Sequence, residues 1–142
     1  MFQLHPQLAA DSVIIGRFIL SLLLLSKDAN YPWCILVPQV EDVFEIHHLG
    51  EEEQIQLMRE SCRLAEVMTS LFDAYKMNVA GLGNMVRQLH VHHIARFKDD
   101  AAWPQPVWGK LPAKAYGEGE LVARAKRIQN ALVGEGFTKV DL

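Results

Sequence analysis

The segment from Gln88 to Phe97 constrains this chain more than any other part of its sequence. It reads Gln-Leu-His-Val-His-His-Ile-Ala-Arg-Phe, and its alternation of apolar and polar residues predicts a β-strand. Side chains on a strand alternate between its two faces, so Gln88, His90 and His92 are expected to share one face. The opposite face would carry Leu89, Val91 and His93. Two imidazoles and an amide on a rigid strand suit a binding or catalytic site.

Length and composition indicate one ordinary globular domain around this strand. The chain has 142 residues, of which 50% are hydrophobic and 22% are charged, enough for one sizeable core. We therefore expect a single domain over residues 1–142. The formal net charge of −3 gives no electrostatic basis for binding nucleic acid, so no nucleic-acid partner is expected.

No segment is expected to enter a membrane. The first residues lack the basic start and the small-residue cleavage site of a secretory signal peptide. The apolar run from Val13 to Leu25 is interrupted by Arg17 and is too short to span a bilayer. Cys34 and Cys62 are far apart and lack a metal-binding spacing, so we expect reduced thiols and a cytoplasmic protein.

Periodicity predicts the strands and the loops of the chain. A short helical turn is expected over residues 5–10, and a proline- and glycine-containing loop over residues 98–118. Further strands are expected over Ser12–Phe18, Ile19–Ser26, Trp33–Pro38 and Lys76–Ala80. The run Ile19–Ser26 is almost entirely apolar, as in a strand buried on both faces.

Two helices complete the predicted order of elements. A long amphipathic helix is expected from Glu51 to about Tyr75 and a second one over Glu120–Val133. The predicted buried stripe of the long helix contains Ile55, Met58, Cys62, Ala65, Met68 and Phe72, widened by Leu64, Val67 and Leu71. Because strands and helices do not alternate regularly, the order predicts an α+β domain with an antiparallel sheet of about five strands.

The paired imidazoles of His90 and His92 are open to three interpretations. A neutral imidazole is a nucleophile that can attack phosphorus, while a second one bonds a phosphoryl oxygen or passes a proton. His-x-His on one strand face can also chelate zinc, and the candidates for a third ligand are His47, His48, Asp99 and Glu45. Both histidines could also be ordinary structural residues, as we expect for the other histidines of the chain.

The histidine strand and its flanks resemble the histidine triad (HIT) superfamily of nucleotide hydrolases and transferases. Its signature is His-φ-His-φ-His-φ-φ, with φ apolar, and Gln88–Ile94 aligns with it, with Arg96 soon after and glutamine in the first position. Tyr31–Pro38 resembles the family's Pro-Gly-His-φ-Leu-φ-φ-Pro strand, and Gly83–Val86 resembles the Gly-Gln-Ser/Thr-Val before the triad. Phe97–Asp100 and Trp103–Gly109 are similar to the tail of a bacterial HIT subgroup. The resemblance covers roughly residues 11–133 and implies a HIT-like fold.

The resemblance also implies a reaction at the α-phosphorus of a nucleotide or nucleotide conjugate. The middle histidine, here His90, would attack the phosphorus and form a nucleotidyl-imidazole that water or a second substrate resolves. His92 would contact the phosphate or the leaving group. The implied nucleotide- and phosphate-binding residues are Asn84, Gly83, Asp28 and Ser26. The family further implies a homodimer with no required cofactor, which makes zinc unlikely here.

Two departures from the family pattern bear on the chemistry. Gln88 replaces the first triad histidine, and Cys34 replaces the histidine of the Pro-Gly-His strand. These two histidines lie close together in the family, so both partners of one polar pair are expected to be altered. Glutamine can still orient His90 but cannot titrate, and losing an acid or base typically costs roughly 10²–10⁴ in rate. The sequence therefore predicts either a HIT-type nucleotide hydrolase or nucleotidyl transferase using His90, His92 and Gln88, or a catalytically impaired nucleotide-binding or regulatory relative.

Overall fold

An antiparallel sheet of six strands forms the centre of the computed structural model, which describes all residues 1–142. The strands are β1 (Ser12–Phe18), β2 (Ser21–Ser26), β3 (Trp33–Pro38), β4 (Lys76–Ala80), β5 (Val91–Arg96) and β6 (Phe137–Lys139). The helices are α1 (Pro6–Asp11), α2 (Glu51–Phe72) and α3 (Glu120–Leu132), with a 3₁₀ turn over Ile46–His48. The strands lie in the order β4-β5-β3-β2-β1-β6, which confirms the α+β class.

The sixth strand was absent from the sequence prediction. β6 contains only three residues and pairs with the end of β1, from Gly16 to Phe18, so it is too short to show a period. A Cβ at Gly16 would lie 2.9 Å from Thr138 O and would collide with the ring of Phe137. Glycine at this position therefore allows β6 to approach the sheet closely.

The helices α2 and α3 cover one face of the sheet and enclose the main core. This helix-side core includes Leu23, Cys34, Leu36 and Val91 from the strands, joined by Leu57, Leu64 and Met68 of α2 and by Ala125, Ile128 and Leu132 of α3. The opposite face carries α1 and the loop between β5 and α3, with smaller clusters around Leu8 and around Tyr31. As predicted, β2 is buried on both faces.

The buried stripe of α2 differs from the predicted one. Its buried residues are Leu57, Glu60, Ser61, Leu64 and Met68, whereas Ile55, Met58 and Cys62 are exposed. The stripe includes Glu60 because its carboxylate accepts hydrogen bonds from the backbone N–H groups of Leu20 and Ser21, at 2.8 and 3.0 Å. Polar residues with partners in the sheet therefore occupy helix positions that a purely hydrophobic period assigns to the surface.

None of the helices combines the length and the apolar composition needed to cross a membrane.

Candidate functional site

Strand alternation separates the three neighbouring histidines, as the sequence predicts. His90 and His92 both line a cavity of about 700 Å³ on the face opposite α2, called the main cavity below. His93 is fully buried beneath α2, with its Nε2 atom 2.7 Å from Ser61 Oγ. Its Nδ1 lies 3.0 Å from Val91 O, so Nδ1–H donates to that carbonyl and the Ser61 hydroxyl donates to Nε2. His93 therefore links β5 to α2 and is remote from the main cavity.

A main-chain carbonyl fixes the tautomer of His90. The Nδ1 atom lies 2.6 Å from Gln88 O, and because a carbonyl can only accept, Nδ1 carries the proton and Nε2 keeps a lone pair. Burial lowers the pKa of His90, the hydrogen bond to Gln88 opposes this shift, and the nearby His5 lowers the pKa further. No hydrogen bond is made by Nε2. His90 is thus a neutral imidazole with an unoccupied nucleophilic nitrogen.

Both nitrogens of His92 are occupied. Trp33 Nε1–H donates to Nδ1 over 3.0 Å, and Nε2–H donates to Leu82 O over 2.9 Å. Burial and the charge that His90 can carry lower the pKa of His92 to about 4, so the ring is neutral at physiological pH. A phosphate oxygen could accept from Nε2–H only by replacing the Leu82 carbonyl. The predicted phosphate contact of His92 therefore stays a prediction that requires this exchange.

The connector before β5 crosses the ring of His90 at Gly83 and Asn84. A Cβ on Gly83 would lie 2.6 Å from Val86 O and 2.8 Å from His90 Cε1, so the close approach requires glycine. Gly83 and Asn84 line the main cavity and also a neighbouring cavity of about 310 Å³, to which His90 contributes as well. Both predicted phosphate-side residues therefore line the same two cavities as His90.

The turn between β2 and β3 places Asp28 and Ser26 on the main cavity. Asp28 Oδ1 accepts hydrogen bonds from the backbone N–H and side-chain amide of Asn30 and from the backbone N–H of Lys114, at 2.8–3.1 Å. Ser26 Oγ accepts from the backbone N–H of Asp28 at 3.1 Å. Asp28 therefore fastens the loop before α3 against this turn, and its Oδ2 makes no hydrogen bond within the protein.

Gln88 and Cys34 do not form the polar pair expected from the sequence. Cys34 pairs with His93 across the strands and points into the helix-side core, where burial raises the pKa of its thiol to about 12. The Gln88 side chain is instead bonded to the N-terminal segment and does not line the main cavity. The register explains the difference, because alternation along β3 puts Trp33 rather than Cys34 on the face of His92.

Two tryptophans that the site prediction did not include enclose His92. The ring of Trp33 lies 5.6 Å from that of His92, and the ring of Trp108 lies 5.1 Å from it. The two indoles are perpendicular to each other and both line the main cavity. Alternation along β3 could have placed Trp33 on this face. No sequence period could have placed Trp108, because it lies in an irregular loop.

The structure offers no ready metal site. No three His, Cys, Asp or Glu side chains come together in a way that could hold a metal ion. His90 and His92 form no chelating pair in the tautomers that their hydrogen bonds assign, because His92 has no free lone pair. His48 Nδ1, from the candidate third ligands, accepts from the backbone N–H groups of Phe44 and Glu45. That the protein requires no metal stays a prediction.

An antiparallel sheet with α2 and α3 packed on one face and a His-x-His pair lining a cavity on the other defines a protein of the histidine triad class. Residues 7–99 match the HIT domain family. The chain therefore belongs to the HIT domain family.

Solved histidine triad proteins share nearly the whole structure. The protein from Marinobacter aquaeolei VT8 is 49% identical, with a TM-score of 0.90 over 93% of this chain and 96% of its own. The protein from Bradyrhizobium japonicum is 43% identical, with a TM-score of 0.89 over 92% of this chain and 97% of its own. The protein from Sinorhizobium meliloti 1021 is 40% identical, with a TM-score of 0.90 over 93% of this chain and 98% of its own. No curated protein matches the sequence significantly.

Proposed function

We propose that this protein is a nucleotide hydrolase or nucleotidyl transferase that acts at the α-phosphorus through a covalent nucleotidyl-His90. The observation that carries the proposal is the unoccupied Nε2 of His90. Its tautomer is fixed by Gln88 O and its ring lines the main cavity. A neutral imidazole held in one tautomer beside a cavity is suited to nucleophilic attack on phosphorus.

The proposed reaction has two steps. In the first, the Nε2 lone pair forms an N–P bond while the bond from phosphorus to the leaving group breaks, and the leaving group departs with that electron pair. The Gln88 carbonyl stabilises the positive charge that develops on the imidazole, because Nδ1–H donates to it. In the second step water or another nucleophile attacks phosphorus, the N–P bond breaks, and the electron pair returns to Nε2. The attacking group loses its proton to solvent.

Residues around the main cavity support nucleotide binding. We assign the ribose hydroxyls to Asp28 Oδ2, since Oδ1 is already occupied by three donors. We assign the phosphate to the connector at Gly83 and Asn84, because main-chain N–H groups in such a turn suit anionic oxygens. The indoles of Trp33 and Trp108 give the cavity aromatic walls.

Turnover on a panel of dinucleoside polyphosphates and nucleoside phosphoramidates tests the proposal. We expect activity of the native protein on at least one class and a loss of at least about 10³-fold in His90→Ala, since a covalent nucleophile is removed. His47→Ala is a matched control, because His47 is exposed and does not line the main cavity. Equal turnover in the native protein and in His90→Ala would contradict the proposal.

A second candidate function is nucleotide binding without efficient turnover. It is favoured by the absence of a free acid beside His90, because Gln88 cannot titrate and both nitrogens of His92 are occupied. Calorimetry that shows binding of a nucleoside monophosphate, combined with no turnover on the whole panel, would support this function over the first.

We further propose a cytoplasmic homodimer. β4 is an edge strand that pairs with β5 on one side only, with Val79 50% exposed and the neighbouring Tyr75 61% exposed, and an open edge of this kind can pair with a second copy. The cytoplasmic location is supported by the two free cysteines, which are compatible with a reducing compartment. Light scattering coupled to size exclusion should give twice the chain mass, and the chain mass at micromolar concentration would contradict a stable dimer.

A further inference from the structure

The side chain at the first triad position makes two specific contacts with the N-terminal segment. Gln88 Oε1 accepts the backbone N–H of His5 over 2.9 Å, and Gln88 Nε2–H donates to Gln3 O over 2.8 Å. One amide group thus holds two main-chain groups that are more than 80 positions away in sequence. His5 then begins α1, since its Nδ1 accepts the backbone N–H of Gln7 over 3.0 Å.

The segment that Gln88 holds is a wall of the main cavity. Leu8 is 6% exposed and packs against Leu22, Leu24 and Ile35 of the sheet. The Lys27 ammonium donates to Ala10 O over 3.0 Å, which ties the far end of α1 to the turn after β2. α1 and the first residue of β1 contribute five residues to the lining of the main cavity: Gln7, Leu8, Ala10, Asp11 and Ser12.

We propose that Gln88 is a positioning residue that fastens residues 3–11 as the wall of the main cavity, and that this wall sets the affinity for the nucleotide. The inference builds on the proposed function, because the nucleotide is the ligand that the wall encloses. It gives the glutamine at the first triad position a role of its own, different from that of an impaired catalytic histidine.

The chemistry of the side chain distinguishes these two roles. A primary amide carries its donor nitrogen and its acceptor oxygen on one carbon, so it can bridge Gln3 O and the nearby N–H of His5. An imidazole places its two nitrogens in divergent directions and cannot make both contacts in the same way. Gln88→His should therefore loosen the wall, whereas an impaired catalytic position should gain activity from histidine.

Hydrogen exchange of the full chain, followed by mass spectrometry, tests the contact itself. We expect the amides of residues 3–11 to exchange on the order of tenfold faster in Gln88→Ala and Gln88→His, because two hydrogen bonds are lost. Gln88→Glu keeps the acceptor for His5 N–H but loses the donor, so an intermediate rate is expected. Gln39→Ala removes an exposed amide that makes no side-chain hydrogen bond and should exchange like the native protein. An unchanged rate in Gln88→Ala would overturn the role of Gln88.

Calorimetry with AMP and GMP tests the role of the wall. We expect the dissociation constant of the better-bound nucleotide to rise about tenfold in Gln88→Ala and Gln88→His. The dissociation constant for Gln88→Glu should lie between those of these two variants and that of the native protein. Native affinity in variants whose segment exchanges faster, or a rise in turnover in Gln88→His, would overturn the proposal. If neither nucleotide binds the native protein, the proposed function and the role of the wall both fail, and hydrogen exchange still decides whether Gln88 fastens the segment.

Discussion

At the scale of single residues, hydrogen-bond partners give His90 and His92 different chemistry although both line the main cavity. The carbonyl of Gln88 accepts from His90 Nδ1 and leaves Nε2 unoccupied, whereas His92 is bonded at both nitrogens. Burial is the main cause of the low pKa of His92, and the Trp33 N–H donor that faces Nδ1 also opposes protonation there.

Replacement of that indole should change the titration of His92. We predict that Trp33→Phe raises the pKa of His92 above its value of about 4, since the facing donor is lost and the smaller ring admits water. Histidine ring signals followed by NMR against pH measure the change. Trp108→Phe is a matched control, because Trp108 packs on His92 without bonding it, and its effect should be smaller. A pKa that falls in Trp33→Phe would contradict the assigned tautomer.

The connector gives a second prediction at this scale. We predict that Gly83→Ala destabilises the fold by about 1–3 kcal/mol, because the new methyl group overpacks against Val86 O and the His90 ring. Gly81→Ala is the control, since nothing lies within 4 Å of a Cβ there. Urea unfolding measures both. Equal free energies of unfolding for the two variants would show that the close approach at Gly83 has no consequence.

Sequence patterns predict individual site residues when the signal is local. The alternating pattern over residues 90–93 correctly placed His90 and His92 together and sent His93 to the opposite face. The strand itself was predicted too long at its start, because β5 begins at Val91 and Gln88 lies before it. The contacts of Gln88 with Gln3 and His5 could not be predicted, because they join main-chain groups far apart in sequence. The exposed Cys62 was mispredicted for another reason, since hydrophobicity alone does not show which polar helix residues have buried partners.

At the scale of elements, one buried polar contact joins α2 to β5. Ser61 is 9% exposed and donates to Nε2 of the fully buried His93 over 2.7 Å. Removal of the hydroxyl leaves a buried acceptor without a partner, which is costlier than the loss of an exposed hydrogen bond.

We predict that Ser61→Ala lowers the free energy of unfolding by about 1–3 kcal/mol. Ser70→Ala on the same helix is the matched control, because Ser70 is exposed and makes no side-chain hydrogen bond, and its effect should stay within about 0.5 kcal/mol. Denaturant unfolding of the two variants gives the comparison. If Ser61→Ala proves as stable as Ser70→Ala, His93 does not depend on this contact.

The elements themselves were predicted where the pattern is long. α2 and the first five strands have a clear period or a clear apolar run. β6 was missed because three residues show no period, and its position depends on the close approach at Gly16. The sequence therefore predicts the sheet that carries the site better than the short contacts that close it.

At the scale of the whole molecule, the buried histidines couple stability to pH. Burial lowers the pKa of His93 from 6.5 to about 4, and that of His92 likewise to about 4. Between these values the unfolded chain binds more protons than the folded one, so the free energy of unfolding increases with pH. The stability that the neutral rings provide is complete above pH 6.5 and is lost as the pH falls to about 4.

We predict that acidification from pH 7 to pH 4 lowers the free energy of unfolding by up to about 3 kcal/mol for each of these two histidines. Urea unfolding at several pH values measures the slope. His93→Gln should flatten it, whereas His47→Gln, at an exposed position, should leave it unchanged. A pH-independent stability over this range would contradict the neutral, buried state of both rings.

The covalent intermediate on His90 is the central claim, and the intact mass of the protein during turnover tests it most directly. Protein mixed with a nucleotide substrate and quenched without acid, since phosphorus–nitrogen bonds of this kind hydrolyse in acid, should gain the mass of one nucleotidyl group. Peptide mapping should place that group on His90, and the adduct should be absent from His90→Ala. Turnover of the native protein with no adduct on rapid quenching, or an adduct that persists in His90→Ala, would contradict the claim.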